Sequence, residues 1–259
     1  MPSIKRAIPI NNGIKMPAIG LGTWKMTDEE AENSVRSAID SGYRLIDTAR
    51  LYGNEKGVGN GVRESGVPRE EIFVTTKLWP TDFFNPEKAF EESLEKLGLE
   101  YVDLYLVHWP IPLMPKSVWI GMEKIYASKR ARSIGVSNYG IGDIEKLLEY
   151  ATVAPAVNQI QFSPFHFEEE ILKCCKTHNI QVEAYSPLTR GNNLGDKTVV
   201  TLAKKYGKTS AQIMLRWCIE HGTVPLPKTT HIDRIKENAD VFDFTLSPED
   251  VLLLNGLSG

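Results

Sequence analysis

Cysteine is scarce in this chain: three residues in 259, two of them adjacent (Cys174, Cys175) and one distant (Cys218). Such a set supports neither a disulfide framework nor a paired C-x-x-C metal grip, and it fits a reducing, cytoplasmic setting. Long apolar runs are missing too, and the opening Met1-Pro2-Ser3-Ile4-Lys5-Arg6 has no apolar stretch behind its charges. Neither a membrane span nor a secretion signal is therefore expected. Lys and Arg are scattered, with a net charge of −3, so there is no electrostatic footprint for nucleic acid or anionic lipid. No Ser/Gly-rich or charged linker interrupts the sequence, which reads as a single domain over residues 1–259. A G-x-G-x-x-G turn is also lacking. Gly57-Val58-Gly59-Asn60-Gly61-Val62 and Gly20-Leu21-Gly22-Thr23-Trp24-Lys25 both miss the final glycine, which argues against a doubly wound dinucleotide fold.

What is present is an ordinary globular balance, 42% hydrophobic and 24% charged, which directs attention to small-molecule chemistry. Short β-branched runs alternate with amphipathic stretches. An opening hairpin is predicted over residues 4–10 and 14–16, turning through Asn11-Asn12-Gly13 and suited to plugging one end of a barrel. Eight strands follow at about 18–21, 43–47, 72–77, 102–107, 133–136, 156–160, 180–185 and 223–226. Helices are predicted between them over 27–41, from about 55, 85–98, 118–127, 143–150, 168–178, 197–206 and 210–220. Thr27 with Glu30 makes a capping box, and Gly42 suits the exit of the first helix. Eight β/α units in this length predict an α/β fold, a (β/α)8 TIM barrel with an N-terminal β-hairpin and extra helices.

In such a barrel the reactive groups gather at the carboxyl ends of the strands. Asp47 closes strand two, Tyr52 follows in the next loop, Lys77 closes strand three and His108 closes strand four. Singly, each has a structural explanation: a cap, a loop aromatic, a surface charge, a core histidine. Together at one end they suit proton delivery to a carbonyl oxygen. A neighbouring ammonium favours the tyrosinate, Asp47 keeps Lys77 charged and in place, and His108 aims the substrate oxygen or joins the relay. Trp24, Trp79 and Trp109 follow strands one, three and four and form an apolar rim, whereas Trp119 and Trp217 lie on helical faces and belong to the core. A second cluster, Ser137-Asn138, Gln159 and Tyr185-Ser186-Pro187-Leu188, suits a planar amide-bearing ligand with Tyr185 stacked on it. Lys228, Thr229 and Arg234 bracket the start of the last barrel helix, where N–H groups attract phosphate.

These residues resemble the aldo-keto reductase family, in its short microbial form, over almost the whole chain. Gly42-Tyr43-Arg44-Leu45-Ile46-Asp47-Thr48-Ala49 with Tyr52-Gly53-Asn54-Glu55, then Ile134-Gly135-Val136-Ser137-Asn138-Tyr139, then Leu226-Pro227-Lys228-Thr229 with Arg234 and Glu237-Asn238, resemble its three signatures in order. The resemblance implies a catalytic tetrad of Asp47, Tyr52, Lys77 and His108, with Tyr52 as general acid, and NADPH bound across the barrel mouth without a Rossmann domain. It implies that Ser137, Asn138 and Gln159 hold the carboxamide, that Tyr185 stacks on the nicotinamide, and that Thr23, Trp24, Ser186 and Leu188 line the cofactor path. Lys228, Thr229 and Arg234 meet the 2′-phosphate, which favours NADPH over NADH, while Glu237 and Asn238 hold the adenine. Trp24, Arg50, Trp79 and Trp109 form the substrate pocket, and Arg50, an unusual charge there, is expected to bias it toward anions. No metal is implied. The expected function is NADPH-dependent reduction of aldehydes, dicarbonyls, keto-sugars or sugar acids by a cytoplasmic monomer. Two rivals are a Schiff-base barrel aldolase using Lys77 and a non-catalytic NADPH-binding protein.

Overall fold

The computed structural model describes residue 4, residues 6–110 and residues 115–258. Residues 1–3 and 5, part of the opening stretch and of the expected first hairpin strand, lie outside the described residues. The hairpin forms in shortened form. Strand β1 (Ala7–Pro9) pairs antiparallel with β2 (Lys15–Pro17), Ile8 opposite Met16.

Eight parallel strands then alternate with helices. They are β3 (Leu21–Gly22), β4 (Leu45–Asp47), β5 (Phe73–Leu78), β6 (Leu104–Val107), β7 (Ile134–Ser137), β8 (Val157–Gln161), β9 (Gln181–Tyr185) and β10 (Val224–Leu226), each paired with the next. Backbone hydrogen bonds from Gly20 N to Pro225 O and from Gly22 N to Pro227 O, 3.0 Å each, join the first strand to the last. Strand one sits slightly later than the predicted 18–21, because Ala18 N is still engaged by the hairpin side, donating to Arg6 O at 2.9 Å.

The helices are α1 (Asp28–Asp40), α2 (Glu55–Arg63), α3 (Pro86–Leu97), α4 (Pro115–Ala127), α5 (Ile141–Leu148), α6 (Glu169–Thr177), α7 (Lys197–Tyr206), α8 (Ser210–Glu220), α9 (Ile232–Ala239) and α10 (Pro248–Asn255). The predicted capping box opens α1: Thr27 Oγ1 accepts from Glu30 N at 3.2 Å and Glu30 Oε2 accepts from Thr27 N at 2.9 Å. Ala31, Val35, Ala38 and Ile39 share its buried face. The glycine run that resembles a phosphate turn lies inside α2. A Cβ on Gly57 would stand 2.0 Å from Asp28 O, and one on Gly59 only 1.7 Å from Leu97 O. These glycines allow α2 to approach α1 and the end of α3 backbone to backbone.

Two apolar clusters divide the core. The larger lies between sheet and helices and includes Trp119 and Trp217, both buried as expected. The smaller fills the barrel's lower interior with Leu45, Phe73, Leu104, Leu106, Val157, Val224 and Leu226. Ile10 and Met16 of the hairpin belong to it, so the hairpin closes that end. No helix among the described residues is long and apolar enough to cross a membrane.

Candidate active site

The strand pleat alternates inward and outward side chains, so two residues beyond the apolar floor the inward positions turn polar. Asp47 follows Leu45 by two, Lys77 follows Phe73 by four, and His108 follows Leu106 by two. Tyr52 arrives from the adjoining 3-10 turn Arg50–Tyr52, closed by a Tyr52 N to Ala49 O bond of 2.9 Å and ended by Gly53 at φ 70°. Asn54 anchors that turn: its Oδ1 accepts from Thr48 Oγ1 at 2.8 Å, and its Nδ2 donates to Thr23 O at 2.8 Å and Met26 O at 3.0 Å.

The four predicted residues meet. Lys77 Nζ, fully buried, donates to Asp47 Oδ1 at 2.8 Å, Asp47 Oδ2 at 2.7 Å and Thr48 O at 2.9 Å, and lies 3.4 Å from Tyr52 Oη. Burial, the largest single influence, works against the ammonium, but Asp47, Tyr52 and Glu183 together hold Lys77 above its ordinary lysine value. Burial likewise lifts the Tyr52 phenol above the ordinary tyrosine value, against the downward pull of Lys77. The sequence-based expectation of a favoured tyrosinate is thus corrected. The cation acts in the expected direction, and desolvation is the larger effect. His108 packs edge-on to Tyr52 and to Trp79, with ring centroids 5.8 and 5.1 Å apart. Burial, with Lys77 beside it, lowers its pKa to about 3, so the imidazole is neutral at physiological pH.

A residue that sequence reasoning missed lies directly against this set. Glu183 of β9 is fully buried, and its Oε2 accepts from Gln159 Nε2 at 2.9 Å. The same amide nitrogen donates to Asp47 Oδ2 at 2.9 Å. Glu183 Oε1 has no hydrogen-bond partner, and burial raises the carboxyl pKa to about 8. One signal was available. A barrel strand is buried on both faces and reads as a nearly continuous apolar run, so a glutamate in the middle of one is anomalous.

The second cluster assembles at the ends of β7, β8 and β9. Ser137 Oγ donates to Gln159 O at 2.9 Å, Asn138 Nδ2 to His108 O at 3.1 Å, and Tyr185 Oη to Asn138 Oδ1 at 2.8 Å. Asn138 and Ser186 hold left-handed backbone, φ 61° and 50°. Such strain is characteristic of functional loops. Thr23 is buried, its hydroxyl on Asp47 O at 2.9 Å, and Trp24 lies half-buried between the cations of Lys25 and Arg190, 4.6 and 4.8 Å from its ring centroid. Leu188 packs on the larger core cluster.

At the start of α9, Lys228 and Arg234 are exposed and Thr229 Oγ1 accepts from His231 N at 3.1 Å. His231, the N-cap, makes no side-chain capping bond, which leaves the first-turn N–H groups available to an anion. Asn238 is buried with its Oδ1 unpartnered, whereas Glu237 Oε1 already accepts from Thr209 Oγ1 at 2.8 Å.

Trp79 is half-buried and Trp109 is 44% exposed, as rim residues should be. Arg50 departs from expectation. Its Nε lies 2.8 Å from Asp82 Oδ2, and its guanidinium also meets Glu92 Oε2 at 2.6 Å. Two carboxylates engage its Nε and one terminal nitrogen, while its other terminal nitrogen has no hydrogen-bond partner.

Comparisons with known proteins give the family. The family model described as "Aldo/keto reductase family" matches residues 18–258. The chain is 46% identical to the glyoxal reductase of Bacillus subtilis (strain 168), over 99% of this chain and 94% of the relative. It is 42% identical to the methylglyoxal reductase of Escherichia coli (strain K12), over 94% and 90%. Among solved structures, a Bombyx mori aldo-keto reductase in complex with NADP superposes with a TM-score of 0.93 at 38% identity, covering 98% of this chain and 92% of that one.

Proposed function

The chain belongs to the aldo/keto reductase family and is an oxidoreductase acting on carbonyl groups, and from that premise we propose that it uses NADPH to reduce aldehydes and reactive ketones, with Tyr52 protonating the carbonyl oxygen. Dicarbonyls are the favoured substrates, the class named for the Bacillus subtilis and Escherichia coli relatives. One observation carries this reading: a buried ammonium, fixed by Asp47, stands 3.4 Å from the Tyr52 hydroxyl.

The residues divide the work by charge. Desolvation keeps the Tyr52 proton in place at rest, so the phenol is an acid and not a base before a substrate arrives. As charge develops on a carbonyl oxygen the proton moves to it, and the tyrosinate left behind is stabilised by Lys77. Asp47 and Thr48 O hold the ammonium in position, so no reorganisation is needed during the transfer. Neutral His108 directs the oxygen through an N–H without adding a second cation to the site.

When bound, NADPH would supply the hydride for the carbonyl carbon. The residues present fit that cofactor. The uncapped start of α9 with Lys228, Thr229 and Arg234 suits a phosphate, and the unpartnered Asn238 Oδ1 suits the amine of an adenine. Ser137, Asn138, Gln159 and Tyr185 would hold the nicotinamide end, with Thr23, Trp24, Ser186 and Leu188 along the path and Glu237 beside the adenine. The rivals fare worse. A Schiff-base aldolase needs a free amine, and Lys77 is a triply engaged ammonium. A non-catalytic binding protein has no need of the assembled tetrad.

The test is Tyr52→Phe. NADPH binding, followed by fluorescence, is expected to persist, while turnover of glyoxal falls about 10²- to 10⁴-fold, the usual worth of a positioned acid. Near-normal turnover would overturn the assignment.

A further inference from the structure

Glu183 is a fully buried acid lying against the tetrad that the proposed chemistry leaves unused. The charged groups acting on it are Asp47 from β4 and Lys77 from β5; β8 contributes the amide of Gln159, and its register partner on β10 is Val224. Among the described residues Lys77 is the cation that acts on both carboxyls, and it is bonded to both oxygens of Asp47. Glu183 receives a single hydrogen bond, and its second oxygen receives none. A fully buried carboxylate with one donor, whose nearest cation is bonded to another carboxylate, is disfavoured against its neutral acid.

We propose that Glu183 is held as a neutral carboxylic acid against the tetrad, and that this neutrality preserves the field of Lys77 on Tyr52. Were Glu183 ionised, a second negative charge would stand beside Asp47, cancel the net effect of the ammonium and oppose formation of the tyrosinate. Gln159 gives the arrangement its rigidity, since its one amide nitrogen spans Asp47 and Glu183 at 2.9 Å each. Glu183 is in this sense a positioning residue: it touches neither substrate nor cofactor in the proposed scheme, and acts through the charge balance of Lys77. The inference rests on Tyr52 being the acid.

Ionisation releases the Glu183 proton to solvent at a pH near 8. The wild-type rate of glyoxal reduction is therefore expected to fall above that pH to a plateau on the order of tenfold lower, and in Glu183→Gln, which cannot ionise, that limb is expected to disappear. A profile of the same shape in both proteins, or a uniform loss in the variant at every pH, would overturn the proposal, because packing alone would then explain Glu183. Two measurements on the protein without cofactor stand apart from turnover. Infrared difference spectra of the wild type across pH 8 should show loss of a protonated carboxylic acid band that Glu183→Gln lacks; absence of that band in the wild type at neutral pH refutes the proposal. The native state keeps this proton while the unfolded chain releases it above the ordinary 4.5, so wild-type stability is expected to decline relative to the variant between about 4.5 and about 8. Parallel stability profiles would count against it. Tyr52→Phe separates the two readings. If that variant keeps turnover, the acid assignment fails, while the infrared band still reports the state of Glu183.

Discussion

The lower and upper halves of the barrel interior are built on the same strands and are chemically opposite. Leu45, Phe73, Leu104, Leu106, Val157, Val224 and Leu226 fill the lower half, sealed by Ile10 and Met16 of the hairpin. One or two pleats further along, Asp47, Lys77, Gln159 and Glu183 occupy the inward positions, all buried. The floor is held by non-directional packing, which tolerates volume-conserving change. The upper layer is held by hydrogen bonds between fixed atoms, where one lost partner leaves a charge buried and alone. The apolar half thus serves as a dry, solid base on which a polar constellation stays in register without help from solvent.

Asp47→Asn attacks the upper layer and should have the largest effect. It leaves Lys77 buried without its counter-ion, a loss of about 3–5 kcal/mol in urea denaturation, and turnover falls with it. Phe73→Ala attacks the floor of β5 and is expected to cost a similar 3–5 kcal/mol. Its signature differs: fluorescence-monitored NADPH affinity and the pH profile should be retained at temperatures where the variant is folded. If Phe73→Ala shifted the pH profile as Asp47→Asn does, the two layers would not be separable.

Much of this division was legible in the sequence. The tetrad stood out because a polar residue closing an apolar run is visible without coordinates, as at Asp47, Lys77 and His108. The hairpin, α1 and α3 were marked by their turn and capping residues. Glu183 was not read, because Gln181-Val182-Glu183-Ala184-Tyr185 alternates as a half-exposed strand does, and the alternation here is between two buried surfaces. The net rise in the Tyr52 pKa was also out of reach, since desolvation depends on the surroundings of the ring and not on its neighbours in the chain. The engagement of Arg50 depends on Asp82 and Glu92, which lie on a separate turn and on α3.

Outside the barrel the contrast reappears in gentler form. In the α1–α2–α3 layer Gly57 N donates to Asp28 Oδ1 at 2.7 Å and Asn60 Nδ2 to Glu32 Oε2 at 2.9 Å, but Gly59 itself meets Leu97 backbone to backbone, so Gly59→Ala acts by overpacking. A stability loss of about 1–3 kcal/mol is expected, read as a lower thermal midpoint, with kcat and KM for glyoxal unchanged in the folded protein. Cofactor choice should respond to a different site altogether. Arg234→Ala is expected to weaken NADPH by roughly 1.5–3 kcal/mol, the worth of a charged hydrogen bond, and to leave NADH nearly untouched. Equal losses for both cofactors would remove Arg234 from the phosphate role.

The smallest effect is expected at Arg50, where the sequence suggested a bias toward anionic substrates. Arg50 begins the turn that carries Tyr52, and a free guanidinium there would draw anionic substrates. In the structure the guanidinium is paired with Asp82 and Glu92, and a cation already flanked by two carboxylates presents little net positive field to the pocket. Arg50→Ala should therefore change kcat/KM for a neutral dicarbonyl and for a keto acid by the same factor, within about twofold, because screened, partly exposed ion pairs carry little energy. The pair of substrates makes the measurement independent of any general loss of activity, since only their ratio is read. A selective loss on the keto acid would show that the guanidinium leaves its two partners when an anion enters, and the pocket would then be charged after all.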